Sequence, residues 1–353
     1  MKIWRGEPRV GRPVLRSRRD AGSGESASEP EANAIECDAE ISALAFSPSG
    51  RFLVAATRNG RLTFWDFSDP AHPRLATQSP KARGHHEDSL AFRPDGRVLA
   101  TGSFGKGTVT LWDVPYLASM DERGSTRVVD RPRRLSVIKD LPAPAAVAFH
   151  PDGRILAALD VNRWITLWSV TEPDHPRLLA TMKGKPLDAA YEVIAQSVVF
   201  SPNGQIMITA GQDRSLLLWE VTDAAHPRQI GSVIADSSTV SQLALSSDGR
   251  LLITGDHNMT VLWHLSGSAV PERITELPNR SEFDHTISLS PDGRLLAVSN
   301  SATRTVWDIS DPTHPVATKI ANRPGAGALF SPDGRLLVTS TAHRATVDYV
   351  DIS

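Results

Sequence analysis

One nine-residue phrase, FSPDGRLLV at residues 330–338, recurs with small changes along the chain. Its seven copies begin at Phe46, Phe92, Phe149, Phe200, Leu245, Leu289 and Phe330. The turn glycines of successive copies lie 41 to 57 residues apart, and an aromatic residue follows each glycine by 14 to 16 residues. Two landmarks in constant register over seven units indicate a repeat architecture, and a period in the forties is typical of β-propellers.

Each unit has the polarity pattern of β-strands joined by tight turns. Residues 41–47 alternate, 51–57 are apolar and β-branched, and 61–67 alternate again, with turn residues between them. A proline-containing phrase, SDPAHPRLAT at 68–77, ends the third strand and begins a fourth. Because one such sheet cannot bury both of its faces, neighbouring units must stack. We therefore predict an all-β, seven-bladed β-propeller of four-stranded antiparallel blades over residues 41–353.

The ends of the third strands resemble the WD-repeat family. The tripeptides FWD (64–66), LWD (111–113) and VWD (306–308) carry the resemblance, together with the Ser-Pro-Asp-Gly turns. The family's hydrogen-bond tetrad is degenerate, because only Gly84–His85 and Asp213 match it, which is similar to bacterial members. The resemblance implies the propeller fold and a role as an interaction scaffold.

The seventh unit has no fourth strand of its own, and the resemblance implies that a strand from the N-terminal region closes the ring. Two segments are candidates, RPVLRS at 12–17 and AIEC at 34–37. We favour the first, because residues 2–17 line up with the end of a repeat at 63–78. Residues 20–33 between them have the composition of a flexible connector. The expected organisation is a closing segment over 1–40 and a propeller over 41–353.

Composition and charge fit a folded protein with no bulk attraction to nucleic acid or membrane. The formal net charge is −2, and no apolar run is long enough to cross a bilayer. The single cysteine excludes an intrachain disulfide and fits a reducing compartment. We expect a monomeric, cytoplasmic protein that binds other proteins and neither membrane nor nucleic acid. Arginine exceeds lysine, which indicates a GC-rich bacterial source.

The motifs of common enzymes do not occur in the sequence. The stretch GHHEDS at 84–89 could suggest a metal site, but adjacent strand residues point to opposite faces. The histidines of the His-Pro phrases recur with the repeat and are predicted to be turn residues. Cys37 lies between acidic residues that raise a thiol pKa, so it is not expected to be a nucleophile. We predict no catalytic residue, no metal and no cofactor.

The second hairpin of each unit carries the main candidate binding site. These hairpins open on one face in a WD-type propeller, and six of the seven contain a cation: Arg58, Lys106, Arg163, Arg214, Arg304 and Arg344. Trp164 would add an aromatic anchor, and the insertion at 183–195 with Tyr191 is a second candidate on the same face. The hypothesis is a basic rim that binds an acidic or phosphorylated protein segment, or nucleic acid phosphate. The alternative is that these cations are only solvated.

Two classes of function follow from these patterns. The first, which we favour, is a non-enzymatic scaffold for protein–protein interaction. The second is a propeller hydrolase or lactonase that works at the channel mouth. Such an enzyme would need a cluster of polar ligands, for which the rim offers Asp213, Asp256, His257 and Asn258.

Overall fold

The computed structural model describes most of the repeat region and two short segments before it. The described residues are 14–16, 34–80, 87–114, 131–139, 141, 144–160, 164–183, 197–210, 214–235, 240–255, 259–266, 270–278, 286–299, 304–321, 327–341 and 344–351.

The described strands form seven antiparallel sheets, and each sheet is one blade of a propeller. Two short strands come first, β1 (Val14–Arg16) and β2 (Ala34–Glu36). Blade 1 comprises β3 (Ile41–Phe46), β4 (Phe52–Thr57), β5 (Arg61–Asp66) and β6 (Arg74–Gln78). Blade 2 comprises β7 (Ser89–Phe92), β8 (Val98–Ser103), β9 (Thr108–Asp113) and β10 (Arg133–Ile138), with a 3-10 turn at Phe104–Lys106. Blade 3 comprises β11 (Pro144–Phe149), β12 (Ile155–Asp160), β13 (Trp164–Ser169) and β14 (Arg177–Lys183).

The remaining blades repeat this pattern. Blade 4 comprises β15 (Ser197–Phe200), β16 (Ile206–Ala210), β17 (Ser215–Glu220) and β18 (Arg228–Ile234). Blade 5 comprises β19 (Gln242–Leu245), β20 (Leu251–Gly255), β21 (Met259–His264) and β22 (Glu272–Pro278). Blade 6 comprises β23 (Thr286–Leu289), β24 (Leu295–Ser299), β25 (Arg304–Asp308) and β26 (Val316–Ala321). Blade 7 comprises β27 (Gly327–Phe330), β28 (Leu336–Ser340) and β29 (Arg344–Asp351), to which β1 and β2 are added.

The first strand of each blade lies next to the first strands of its two neighbours. These contacts run from β3 through β7, β11, β15, β19, β23 and β27, and β27 contacts β3 again. The first strands therefore surround the centre, and the fourth strands form the outer wall. The predicted fold class is confirmed: the protein is an all-β, seven-bladed propeller whose blades are four-stranded and antiparallel.

The repeated Pro-Asp-Gly turn explains why each unit starts with a tight hairpin. In the last copy, the Ser331 hydroxyl accepts a hydrogen bond from the Leu336 amide at 3.0 Å, and Asp333 accepts one from the Arg335 amide at 3.1 Å. Gly334 has φ +72°, a left-handed conformation that glycine adopts without steric cost. The turn is thus fixed by short-range chemistry that the sequence repeats.

Hydrogen bonds from tryptophan to threonine tie the third strand to the second in three blades. The indole nitrogens of Trp112, Trp219 and Trp263 donate to the hydroxyls of Thr101, Thr209 and Thr254 at 3.0–3.2 Å. The three threonines are buried. Gly84, His85 and Asp213, which match the family's tetrad, lie outside the described residues. In these three blades, a threonine on the neighbouring strand therefore satisfies the indole nitrogen of the tryptophan.

The ring is closed at the outer edge of blade 7 by both N-terminal candidates. β1 pairs with Tyr349–Asp351, and β2 pairs with Arg344–Thr346, each antiparallel to β29. The expected closure by an N-terminal strand is confirmed. The favoured segment, 12–17, does pair with β29, but so does 34–37. The two segments lie end to end along one partner strand and are not alternatives.

The alternation of strands gives the ring two different faces. One, here called the turn face, carries the glycine turns between first and second strands and the loops between third and fourth strands. The other, the hairpin face, carries the hairpins between second and third strands and the connections to the next blade. In the described part of the chain, no helix has the length and apolar character needed to span a bilayer.

Candidate functional site

In blade 1, the predicted rim cation is neutralised. Arg58 Nε lies 2.8 Å from a carboxylate oxygen of Glu40, which precedes β3 on the same face. The next arginine, Arg61, contacts Asp38 at 3.1 Å, and Asn59 donates to the same aspartate. Because both cations have acidic partners, this hairpin presents little net positive charge.

In blades 6 and 7, the predicted rim cations belong to strands. Arg304 begins β25 and is only 8% exposed. Arg344 is half-buried at the start of β29 and lies opposite Glu36 of β2 in the sheet. Burial restricts access of a partner to both guanidinium groups.

Blades 2 to 4 present accessible cations on the hairpin face. Lys106, in the 3-10 turn, and Arg214, before β17, are both exposed, and neither forms an ion pair with another described residue. Arg214 has φ +64°, an unusual left-handed conformation for a residue with a side chain. Its carbonyl accepts a hydrogen bond from the Ala235 amide at 2.7 Å, which helps hold this conformation.

An aromatic side chain lies on the blade between these two cations. Trp164 begins β13 and is half-buried, and its amide donates to the buried carboxylate of Asp160 at 2.8 Å. The Lys183 ammonium, on the paired strand β14, lies 4.9 Å from the centre of the indole ring. This distance is typical of a cation–π contact. We call Lys106, Trp164, Lys183 and Arg214 the cationic arc.

Several predicted site residues cannot be located. Arg163, Tyr191 and all of the insertion 183–195 except Lys183 lie outside the described residues, as do Asp213, Asp256, His257 and Asn258. Among the residues that are described, no three His, Cys, Asp or Glu side chains group closely enough to hold a metal ion. Of the stretch 84–89, residues 87–89 are described, and the Asp88 carboxylate accepts a hydrogen bond from the Phe104 amide at 2.9 Å.

The pKa of the Cys37 thiol is raised, as we predicted from its acidic neighbours. Burial raises the pKa of its thiol to about 11, and the nearby Asp38 carboxylate adds to this effect. The side chain packs against the apolar cluster around Ile35 and Ile41. The thiol therefore carries its proton at neutral pH, which disfavours nucleophilic chemistry.

The histidines of the His-Pro phrases are turn residues, as predicted. His72 Nδ1 donates to Asp69 at 2.9 Å, and His226 Nδ1 donates to Asp223 at the same distance. Each aspartate also accepts a backbone amide two residues along the chain. The imidazole hydrogen bond is the main reason that the pKa of each of these aspartates is lowered.

This pairing predicts a loss of stability in acid. A lowered carboxyl pKa in the folded state stabilises the fold above the unfolded pKa, near 3.9, and this contribution disappears as the pH falls through the lower folded pKa. We expect Asp69→Asn/Asp223→Asn to lower the urea midpoint at pH 7 and to flatten its decline below about pH 4. Urea unfolding followed by tryptophan fluorescence between pH 3 and 7 measures both effects.

Blade 3 supplies the control for this experiment. Glu172 occupies the loop position of Asp69, but its side chain accepts no hydrogen bond from the described residues. Glu172→Gln should leave the urea midpoint unchanged over the same pH range. If Glu172→Gln changed the urea midpoint and its pH dependence as Asp69→Asn/Asp223→Asn does, the acid effect could not be assigned to the aspartate–histidine pairs.

Comparisons with known proteins agree with the architecture. Residues 23–310 match the family model described as "Lactonase, 7-bladed beta-propeller". The chain belongs to this family of seven-bladed propellers. It is also similar to the crystal structure of the Myceliophteria thermophila Cps50 (Swd1) β-propeller domain, with a TM-score of 0.70 and 16% identity over 90% of this chain and 98% of that chain. At this identity, the likeness concerns the fold alone.

Curated relatives support the WD-repeat-like character of the propeller. The chain is 28% identical over 233 residues to transducin beta-like protein 3 of Bos taurus, covering 62% of this chain and 25% of the relative. It is 26% identical over 198 residues to the periodic tryptophan protein 2 homolog of Schizosaccharomyces pombe, covering 52% of this chain and 20% of that relative. It is 27% identical over 142 residues to the LST8 homolog of Drosophila melanogaster, covering 39% of this chain and 40% of that relative. The chain thus spans less than half the length of these relatives.

Proposed function

We propose that this propeller is a non-enzymatic scaffold that binds an acidic or phosphorylated segment of a protein partner through the cationic arc. One observation carries the proposal: the exposed cations Lys106 and Arg214, without ion pairs among the described residues, lie on the blades that flank Trp164. In this proposal the chain acts as a monomer in the cytoplasm.

The chemistry of the arc suits a protein segment. Unpaired surface cations attract an acidic segment over several ångströms and accelerate its association. An ordered tryptophan then offers a large contact area, and tryptophan and arginine are enriched among residues that dominate binding energy. Blade 1 lacks this combination, because Arg58 is already paired with Glu40. The likeness to WD-repeat proteins is a further support for a scaffold.

The test reverses the charge of the arc. The variant Lys106→Glu/Arg214→Glu is compared with Arg97→Glu/Arg154→Glu, which changes the net charge equally on exposed arginines of the turn face. Partners captured from the source cells are first identified with the wild type, and their affinities are then measured with purified components. We expect the arc variant to lose at least about tenfold in affinity, a free-energy change of about 1.4 kcal/mol. The turn-face variant should bind as the wild type does.

Two outcomes would contradict the proposal. Equal binding by both variants would remove the arc from the interface, and binding of a single-stranded oligonucleotide in preference to every protein would indicate a phosphate site for nucleic acid. Thermal unfolding of each variant shows whether it is folded before affinities are compared.

A lactone hydrolase is the second candidate, favoured by the description of the family that matches residues 23–310. The purified chain should be assayed on a panel of γ- and δ-lactones by pH-stat titration of the released acid. Turnover above the spontaneous rate would show that the chain is an enzyme and would contradict the non-enzymatic part of the proposal. The affinity measurements on the arc would stand independently of that result.

A further inference from the structure

A cleft of ≈ 600 Å³ opens on the turn face between blades 4 and 5. Its floor is apolar and includes Ile206, Ile208, Leu218 and Leu265, at the edge of the core cluster shared by these blades. This volume lies within the range of small-molecule sites, which typically combine an apolar floor with a few polar groups.

The mouth of the cleft carries two groups that donate hydrogen bonds. Arg250, from the glycine turn of blade 5, and His264, at the end of β21, both line the cleft and are both exposed. Neither side chain forms an ion pair or a hydrogen bond with another described residue. Asn203 of blade 4 adds a further donor on the opposite side.

Blade 5 carries a histidine at a position beside this mouth where four other blades carry an acid, and blade 3 carries Ser169 there. The residue that follows the third-strand tryptophan is acidic in four blades: Asp66, Asp113, Glu220 and Asp308. In blade 1, Asp66 accepts a hydrogen bond at 3.3 Å from Arg51, which occupies the turn position of Arg250. In blade 5, His264 stands in place of the acid. Arg250 therefore lacks, among the described residues, the carboxylate that Arg51 binds in blade 1.

Two acidic groups lie nearby. The Ser246 hydroxyl is the main cause of the lowered pKa of Asp248 and the Arg250 charge adds to it, but no ion pair joins the Asp248 and Arg250 side chains. Asp248 lines the cleft, but it accepts hydrogen bonds from the Ser246 hydroxyl and the Arg250 amide, as the turn aspartates of other blades do. Glu272 pairs with His264 across β21 and β22, but it does not line the cleft. Arg250 and His264 thus line a cleft with an apolar floor, and neither side chain is paired with a carboxylate of the described residues.

We propose that this cleft binds a small organic carboxylate with an apolar body. The carboxylate would accept hydrogen bonds from Arg250 and His264, in the place that Asp66 takes in blade 1, and guanidinium groups bind carboxylates through paired hydrogen bonds. The apolar body would cover Ile206 and Leu265, which are only partly buried. The site lies on the face opposite the cationic arc and does not depend on the function proposed for it.

The first experiment compares two probes with the same apolar body, 4-phenylbutanoate with a charged carboxylate and 4-phenylbutanamide with a neutral carboxamide. Saturation-transfer NMR detects binding, and isothermal titration gives the affinities. We expect the acid to bind at least about tenfold more tightly than the amide, because hydrogen bonds to charged groups exceed neutral ones by this order. Equal affinities, or no binding of the acid at millimolar concentration, would overturn the proposal.

Three variants locate the site. His264→Asp recreates the acid of the other blades beside Arg250, so the acid probe should bind at least about tenfold more weakly, and Arg250→Gln should have a similar effect. Arg335→Gln changes the exposed arginine of the blade 7 turn and should leave the affinity unchanged. All three substitutions lie on the surface, and thermal unfolding checks their folding. Wild-type affinity in both His264→Asp and Arg250→Gln would also overturn the proposal.

Discussion

Replacing Ile35 with alanine is expected to lower the free energy of unfolding by about 2–5 kcal/mol, the range for large-to-small changes in a packed core. Ile35 lies in β2, is 1% exposed, and is among the largest fully buried side chains. It packs in one cluster with Ile41 and Leu53 of blade 1 and with Val338 of blade 7. The substitution therefore removes contacts from the seam where the ring closes.

The effect should be largest next to the seam. β2 covers Arg344–Thr346 at the outer edge of β29, and these residues would lose their partner strand if β2 detached. Hydrogen exchange measured by mass spectrometry should show faster exchange over 344–346 in Ile35→Ala. Exchange in blade 4, on the far side of the ring, should remain as in the wild type. A ring-closing strand of three residues, such as β2, forms few hydrogen bonds. Its attachment to β29 therefore depends on side-chain packing.

Ile234→Ala is the matched control. Ile234, like Ile35, belongs to an outer strand, but it is 73% exposed. Its truncation should change the free energy of unfolding by no more than about 0.5 kcal/mol. Similar losses in the two variants, or unchanged exchange over 344–346, would show that β2 does not hold the ring closed.

The architecture could be predicted because its signals are local. A left-handed glycine, an aspartate that binds nearby amides and strands of period two are all specified within about twenty residues, and each occurs in seven copies. The closing strand was harder. Residues 12–17 and 34–37 each have a suitable pattern, and nothing in either pattern shows that both pair with different halves of β29.

The candidate site was only partly predictable, because accessibility depends on distant residues. The hairpin pattern treats Arg58, Arg214 and Arg304 alike. In the structure, Arg58 binds a glutamate 18 residues earlier in the chain, Arg304 is buried, and Arg214 is exposed. Ion pairing and burial arise from how neighbouring segments pack, which a repeat pattern does not report.

The cleft on the turn face was missed, although the sequence holds one sign of it. The tripeptide LWH at 262–264 departs from the acid that follows the tryptophan in four blades, and the repeat pattern alone gives this departure no functional meaning. The departure gains meaning when Arg250 and the cleft are seen beside it.

Replacing Gly204 with alanine is expected to cost more stability than the same change at the turn of blade 6. Gly204 has φ +71°, and Gly293 has φ +72°, so both substitutions place a side chain in a left-handed conformation. That strain costs about 1–2 kcal/mol. A Cβ at Gly293 would meet nothing within 4 Å, whereas one at Gly204 would lie 2.3 Å from His150 Nε2.

His150 is held in place by several contacts, so it cannot move without loss. Its Nε2 donates to the Gly204 carbonyl at 2.9 Å, and its ring meets the Phe200 ring edge-on with centroids 5.3 Å apart. Its other nitrogen lies 2.8 Å from the Asp152 carboxylate. Displacing the ring would break the hydrogen bond to Gly204, which adds about 0.5–1.5 kcal/mol to the cost of the substitution.

The expected losses are therefore about 1–2 kcal/mol for Gly293→Ala and about 2–3 kcal/mol for Gly204→Ala, from equilibrium urea unfolding. A second substitution separates the two causes. Most copies of the turn have serine where blade 3 has His150. In a His150→Ser background, Gly204→Ala should cost only as much as Gly293→Ala, because the obstructing ring is gone. If the cost of Gly204→Ala were the same with histidine and with serine at position 150, the imidazole would not be the contact that couples the turns of blades 3 and 4.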